Sequence, residues 1–94
     1  MGTYLMFGEY SMDSIGKISA DRTKKADAMV KGLGGEIKSA YAILGEKDLV
    51  LITEFPGTKE AMKASVELAK LLGISFTTAP AVTVEEFDKL VGTG

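Results

Sequence analysis

Residues 37–55 read Ile37-Lys38-Ser39-Ala40-Tyr41-Ala42-Ile43-Leu44-Gly45-Glu46-Lys47-Asp48-Leu49-Val50-Leu51-Ile52-Thr53-Glu54-Phe55. Ile37, Ser39, Tyr41 and Ile43 alternate with Lys38, Ala40, Ala42 and Leu44; Gly45-Glu46-Lys47 interrupts the pattern, and Asp48 to Phe55 resumes it. Two alternating runs joined across a short glycine-containing loop predict a β-hairpin, since only antiparallel neighbours can be joined so tightly.

Downstream, Pro56-Gly57 closes the hairpin. Thr58 is read as the cap of a helix that places Ala61, Ser65, Leu68 and Leu72 on one face and Lys59, Lys63, Glu67 and Lys70 on another, with Gly73 ending it. Ile74 to Val82 reads as a strand whose Pro80 suits a sheet edge, because proline cannot donate to a ladder. Thr83 then caps a short tail helix, Val84 to Val91, with Glu85 and Glu86 in its first turn and Phe87 and Leu90 to dock it. Upstream, Ala26, Met29, Val30 and Leu33 recur at helical spacing within Ser19–Leu33, and Gly34-Gly35 ends that helix. A shorter helical turn, Met12 to Ile18, is capped by Ser11, and Thr3 to Tyr10 forms a first strand. The order is βαββαβ plus a tail helix. That predicts an α+β, ferredoxin-like domain: a four-stranded antiparallel sheet with two helices on one face, over residues 1–94 as one unit.

Composition fits a small globular domain, with 94 residues, 46% hydrophobic and 26% charged. A chain this short buries only ~60–68% of its unfolded surface, so it needs extra support. There is no Cys for disulfides or thiolate metal sites and no His for the commonest metal and general-base chemistry, so oligomerisation is the support expected. Without His, a Ser-His nucleophilic pair is excluded for Ser65 and every other serine. No metal and no cofactor are expected, the acids being scattered and no phosphate-cradling glycine loop following a strand. Eleven basic against thirteen acidic residues, net charge −2, leave no field for nucleic acid. Neither an uncharged run of ~18 apolar residues nor a basic region ahead of an apolar stretch is present, so no membrane association and a cytoplasmic location are expected.

Gly45-Glu46-Lys47-Asp48-Leu49-Val50-Leu51-Ile52 resembles the signature of the GYD-domain family. Thr3-Tyr4-Leu5, Ile18-Ser19-Ala20-Asp21-Arg22, Leu33-Gly34-Gly35-Glu36, Ala40-Tyr41, Gly73-Ile74-Ser75-Phe76-Thr77-Thr78 and Val84-Glu85-Glu86-Phe87 extend the similarity over nearly the whole chain. One signature position departs: Lys47 stands where the family has Tyr, leaving Gly45 and Asp48 as matches. The resemblance implies a dimeric α+β barrel, an assembly shared with cofactor-free monooxygenases and stress-response barrel domains, and no established reaction.

Five residues are candidate ligand contacts: Tyr4, Arg22, Tyr41, Lys47 and Asp48. They are polar groups interrupting apolar surfaces, the pattern of small-molecule pockets, and the expected site lies between helices and sheet, entered from the loop that carries Lys47 and Asp48. Each has a structural reading too. Asp48 can bond its own turn backbone. Arg22, in register with Ala26, Met29 and Leu33, can reach solvent or pair with Asp13 or Glu54, or else hold an anionic group bidentately. The tyrosines can pack in the core with a hydroxyl satisfied at its edge. Gly8, between Tyr4 and Tyr10, marks a close approach by a ligand or by packing.

Three function classes follow: a homo-oligomeric small-molecule-binding protein, a cofactor-independent enzyme acting on an enolisable or aromatic substrate, and an oligomerisation module without ligand. The first is preferred, because the sequence holds nothing beyond pocket-forming parts. Leu49, Leu51 and Phe55 face one side of their strand while Val50 and Ile52 face the other, and the first strand repeats this with Met6 against Leu5 and Phe7. Two helices cover one face only, so a homodimer is expected to bury the other through Leu5, Phe7, Val50 and Ile52.

Overall fold

The computed structural model describes residues 1–92. Strand β1 (Gly2–Tyr10) is followed by helices α1 (Met12–Ile15) and α2 (Ala20–Gly32), strands β2 (Glu36–Ala42) and β3 (Leu49–Phe55), helix α3 (Thr58–Leu72), strand β4 (Ile74–Ala81) and helix α4 (Val84–Val91). The strands form one antiparallel sheet in the order β2-β3-β1-β4, the α+β ferredoxin-like arrangement. Pro80 lies on an edge strand, as its missing N–H requires.

Register assigns each strand residue to a face. Tyr4, Met6 and Gly8 of β1 share a row with Leu49, Leu51 and Thr53 of β3 and with Phe76, Thr78 and Pro80 of β4. This inner row meets α2 and α3. Met6, Phe55, Leu68 and Val30 are fully buried there, with Tyr4, Leu51, Ala64, Leu72 and Ile74 around them. Thr53 joins them because its hydroxyl donates to the Tyr4 carbonyl at 2.8 Å, which removes the cost of burying it. The outer row holds Leu5, Phe7, Val50 and Ile52, half-buried and covered by neither α2 nor α3.

The hairpin differs from its sequence reading in two ways. The connection is longer: β2 ends at Ala42 and β3 begins at Leu49, with the Ile43 N–H still donating to the Asp48 carbonyl at 2.9 Å and Gly45 at φ +146°. Within β2 a bulge falls between Ile37 and Ser39, so that Ile37 opposes Thr53 and Ser39 opposes Ile52. One inserted residue reverses every face beyond it. Ile37 faces α2, but from there Ala40 and Ala42 take the inner row opposite Leu51 and Leu49, and Tyr41 stands with Val50 in the outer row. Two alanines thus lie where larger side chains would have filled the space under α2.

Several ends also shift. α1 stops at Ile15 with Gly16 as its cap, short of Ile18, and β4 stops at Ala81. Ser11 and Thr83 cap α1 and α4 through their side-chain oxygens, as expected; Ser19, read as the first residue of the second helix, is instead its cap, accepting from the Arg22 N–H, and α2 begins at Ala20. Thr58 does not cap α3. The cap is Gly57, without a side-chain bond, and Thr58 is the first helical residue, its hydroxyl 3.1 Å from that of Tyr4. Gly73 ends α3 in the left-handed conformation, φ +67°.

Gly35 brings the chain leaving α2 against the end of β3. A Cβ there would lie 2.5 Å from the Phe55 ring and 2.7 Å from the Glu54 carbonyl oxygen, and the backbone oxygen cannot swing away. Gly35→Ala is expected to lower unfolding free energy by about 1–3 kcal/mol in urea titration, at unchanged m-value.

Candidate functional site

Between α2 and the inner faces of β2 and β3 lies a cleft of about 410 Å³, which falls within the range of small-molecule sites. Its position follows from the β2 bulge. Ala40 and Ala42 leave room that Leu49, Leu51, Ile37, Ala26, Leu72 and Ile74 line as an apolar floor. Polar groups stand at the rim: Arg22, Ser19, Thr23, Lys24 and Asp27 from α2 and its cap, and Tyr10 from the end of β1.

Arg22 is the only arginine of the sequence and is half-buried. One guanidinium nitrogen, Nη1, donates to the Ser14 carbonyl at 3.3 Å, and no carboxylate pairs with it among the described residues; neither Asp13 nor Glu54 does so. Ser14 is itself pinned, its buried hydroxyl donating to the Leu72 carbonyl at 2.7 Å at the end of α3. The serine therefore fixes one corner of the guanidinium and leaves most of its five donors free. Asp27 does not neutralise the rim, because it is paired with Lys31 at 3.0 Å. That bond, chiefly, holds the Lys31 ammonium above the ordinary lysine range. The cleft thus offers an apolar bed with unneutralised cationic groups at one end, suited to an apolar molecule bearing an anionic head.

The five candidate residues do not converge. Arg22 lines the cleft, and Tyr41 borders it from the edge strand, although its register partner is Val50 in the outer row. Tyr4 lies elsewhere: only 7% exposed, it packs edge-on against Phe55 at 6.0 Å between ring centroids, with its hydroxyl on Thr58. Asp48 accepts the backbone N–H of Tyr10 at 2.9 Å, tying the loop to the strand end that brings Tyr10 to the cleft. Lys47 pairs with Glu9 at 2.8 Å, and this bond raises the lysine above its ordinary range. A raised lysine stabilises the fold fully below the unfolded value and loses that effect only as pH climbs through the folded one, so the pair is no switch near neutrality.

Sequence reasoning missed Tyr10, Ile18, Ala40 and Ala42 as lining residues. The alternation within residues 37–44 hid the alanines, since nothing there announced the extra residue; the apolar Ile18 just ahead of the Ser19 cap was the one visible signal. Gly8 turns out to admit neighbouring side chains, because a Cβ there would meet Ile74 Cγ2 at 2.9 Å. Among the described residues no three His, Cys, Asp or Glu side chains gather as a metal site would require, and no helix is long and apolar enough to cross a membrane.

Asp48→Ala is expected to cost about 1–3 kcal/mol of stability, read by urea titration, because it strips a charged acceptor from the Tyr10 N–H.

A GYD domain model matches residues 4–91. The chain belongs to the GYD-domain family. Among solved structures this GYD domain is similar to the Mycobacterium tuberculosis leucine response regulatory protein LrpA, with a TM-score of 0.59 and 10% identity over 87% of this chain and 51% of that one. A glycine-to-threonine mutant of Rv3291c matches equally well, with a TM-score of 0.59 and 10% identity over 88% and 51%. The GYD domain spans about half the length of these proteins, and the likeness concerns the fold. No curated protein matches the chain in sequence.

Proposed function

We propose that this GYD domain is a cytoplasmic, homodimeric binding protein for a small apolar molecule carrying an acid group, held in the cleft between α2 and the sheet. The observation that carries the reading is the half-buried guanidinium of Arg22, anchored on one side by the Ser14 carbonyl and free of any carboxylate among the described residues, above an apolar floor. A charge-assisted hydrogen bond in such a place is stronger than in open water, and the floor would take the hydrophobic body of the ligand. Dimerisation belongs to the proposal because the outer row of Leu5, Phe7, Val50 and Ile52 is an apolar sheet face with no helix of the core over it. That the same fold serves a protein named for its response to leucine is in keeping with a small acidic ligand.

Native mass spectrometry tests both parts at once. The expected spectrum shows twice the 10.0 kDa chain mass and, with octanoate present, an adduct of one octanoate per chain. A monomer that carries no adduct contradicts the reading.

A further inference from the structure

Helix α4 has an apolar stripe with nothing over it. At about 100° per residue, Val84, Phe87, Leu90 and Val91 fall within an arc of about 120°, bordered by Glu86 on one side and Asp88 on the other. None of its residues is buried; Phe87 is 53% and Leu90 74% exposed. An eight-residue helix alone in water is marginal, so this one requires a surface to lie on. With Val84, Phe87, Leu90 and Val91 all exposed, its own body does not supply one, in keeping with a radius of gyration of 14.3 Å against about 12 Å expected for a compact chain of this length.

A surface of matching character runs along α3 and the edge strand β4. There Tyr4, Ala61, Met62, Val66, Thr78 and Pro80 line a groove of about 280 Å³, small for a ligand site and suited to protein side chains. Its hydroxyls are already paired with one another, Tyr4 with Thr58 at 3.1 Å and Thr78 with Ser65 at 3.1 Å, so what it presents is apolar. Met62 and Val66 are exposed on its bank, and Lys59 and Lys63 stand beside them on the same side of α3 without an ion-pair partner among the described residues. Glu86 and Asp88 of α4 likewise lack one. An apolar stripe edged by acids thus answers an apolar groove edged by lysines.

We infer that α4 of one copy docks in the α3–β4 groove of a second copy, Phe87 and Leu90 entering between Met62, Val66 and Pro80 while Glu86 and Asp88 meet Lys59 and Lys63. A second copy is the occupant because no residue of α4 lines the groove of its own chain, from which it departs through Val82 and an extended Thr83, φ −66° and ψ 156°, and because the acids edging α4 complement the lysines beside that groove. The exchange is independent of the ligand cleft, and it uses a different surface from the outer row.

Because the chain has no cysteine, the docking can be read by cross-linking the intact protein. Met62→Cys and Leu90→Cys chains, co-expressed and treated with a short bismaleimide, are expected to give a covalent species of twice the chain mass that neither variant gives alone. Phe87→Glu in the Leu90→Cys chain is expected to remove it. In the otherwise unaltered protein, Phe87→Glu should weaken self-association roughly 100-fold, since two aromatic anchors are lost per dimer. Lys63→Glu should weaken it too, with recovery on adding Glu86→Lys. Absence of the mixed cross-link overturns the inference. So does an intrachain cross-link in the doubly substituted chain diluted into excess unaltered protein, which would place α4 on its own body.

Discussion

Ile52→Asp is expected to turn the proposed dimer into a folded monomer. Ile52 lies in the outer row between Leu5 of β1 and Ser39 of β2, near the middle of the face proposed to meet the partner. In a two-fold interface each substitution appears twice, and each new carboxylate would be buried without a partner. At about 2 kcal/mol apiece the pair should weaken the dimer about 1000-fold. The monomer should keep its circular dichroism, because in a lone subunit this position faces water and the core behind Leu51 and Phe55 is untouched. Light scattering at micromolar concentration checks it. A dimer that survives Ile52→Asp in a chain that also carries Phe87→Glu, which removes the α4 contact, takes the outer row out of the interface, whereas a chain that unfolds would show that this face supports the subunit itself.

Arg22→Gln is expected to act on binding and hardly on stability. The side chain donates a single hydrogen bond of 3.3 Å, to the Ser14 carbonyl, and carries no ion pair among the described residues, so the fold relies on it little. Loss of a hydrogen bond between a cation and a carboxylate costs about 1.5–3 kcal/mol, which predicts roughly 10- to 150-fold weaker binding of octanoate by calorimetry. Arg22→Lys should recover part of this, since lysine keeps the charge and loses the planar fork. Equal affinities for the unaltered protein and the Arg22→Gln variant cannot be reconciled with an anion held at this guanidinium.

Most of the fold was legible in the sequence because its signals are local. The stripe of Ala26, Met29, Val30 and Leu33, the caps Ser11 and Thr83, and the glycine at 73 each act through neighbours a few residues away, and the helices they mark all formed, α1 and α2 with shifted ends. The errors arose where a tertiary partner decided the outcome. Thr58 has the chemistry of a cap, but its hydroxyl goes to Tyr4, 54 residues distant. The bulge after Ile37 depends on how β2 meets β3, and it moved Tyr41 to the outer row while giving Ala40 and Ala42 the inner one. The candidate site inherits that history. Arg22 was visible as a charge in an apolar stripe, whereas the space beside it exists only once the alanines are turned inward. Asp48 illustrates a role between the two readings, a turn residue whose carboxylate holds Tyr10 in position at the cleft.

The central claim is that the cleft under α2 recognises an acid on an apolar body. The most direct measurement is an NMR titration of the ¹⁵N-labelled protein with octanoate, and in parallel with octanamide, which has the same length without the charge. Saturable shifts clustered at Tyr10, Arg22, Ile37 and Leu49 with octanoate, and much weaker ones with the amide, are the predicted result. Shifts absent from these residues at millimolar octanoate, or equal for acid and amide, would contradict it.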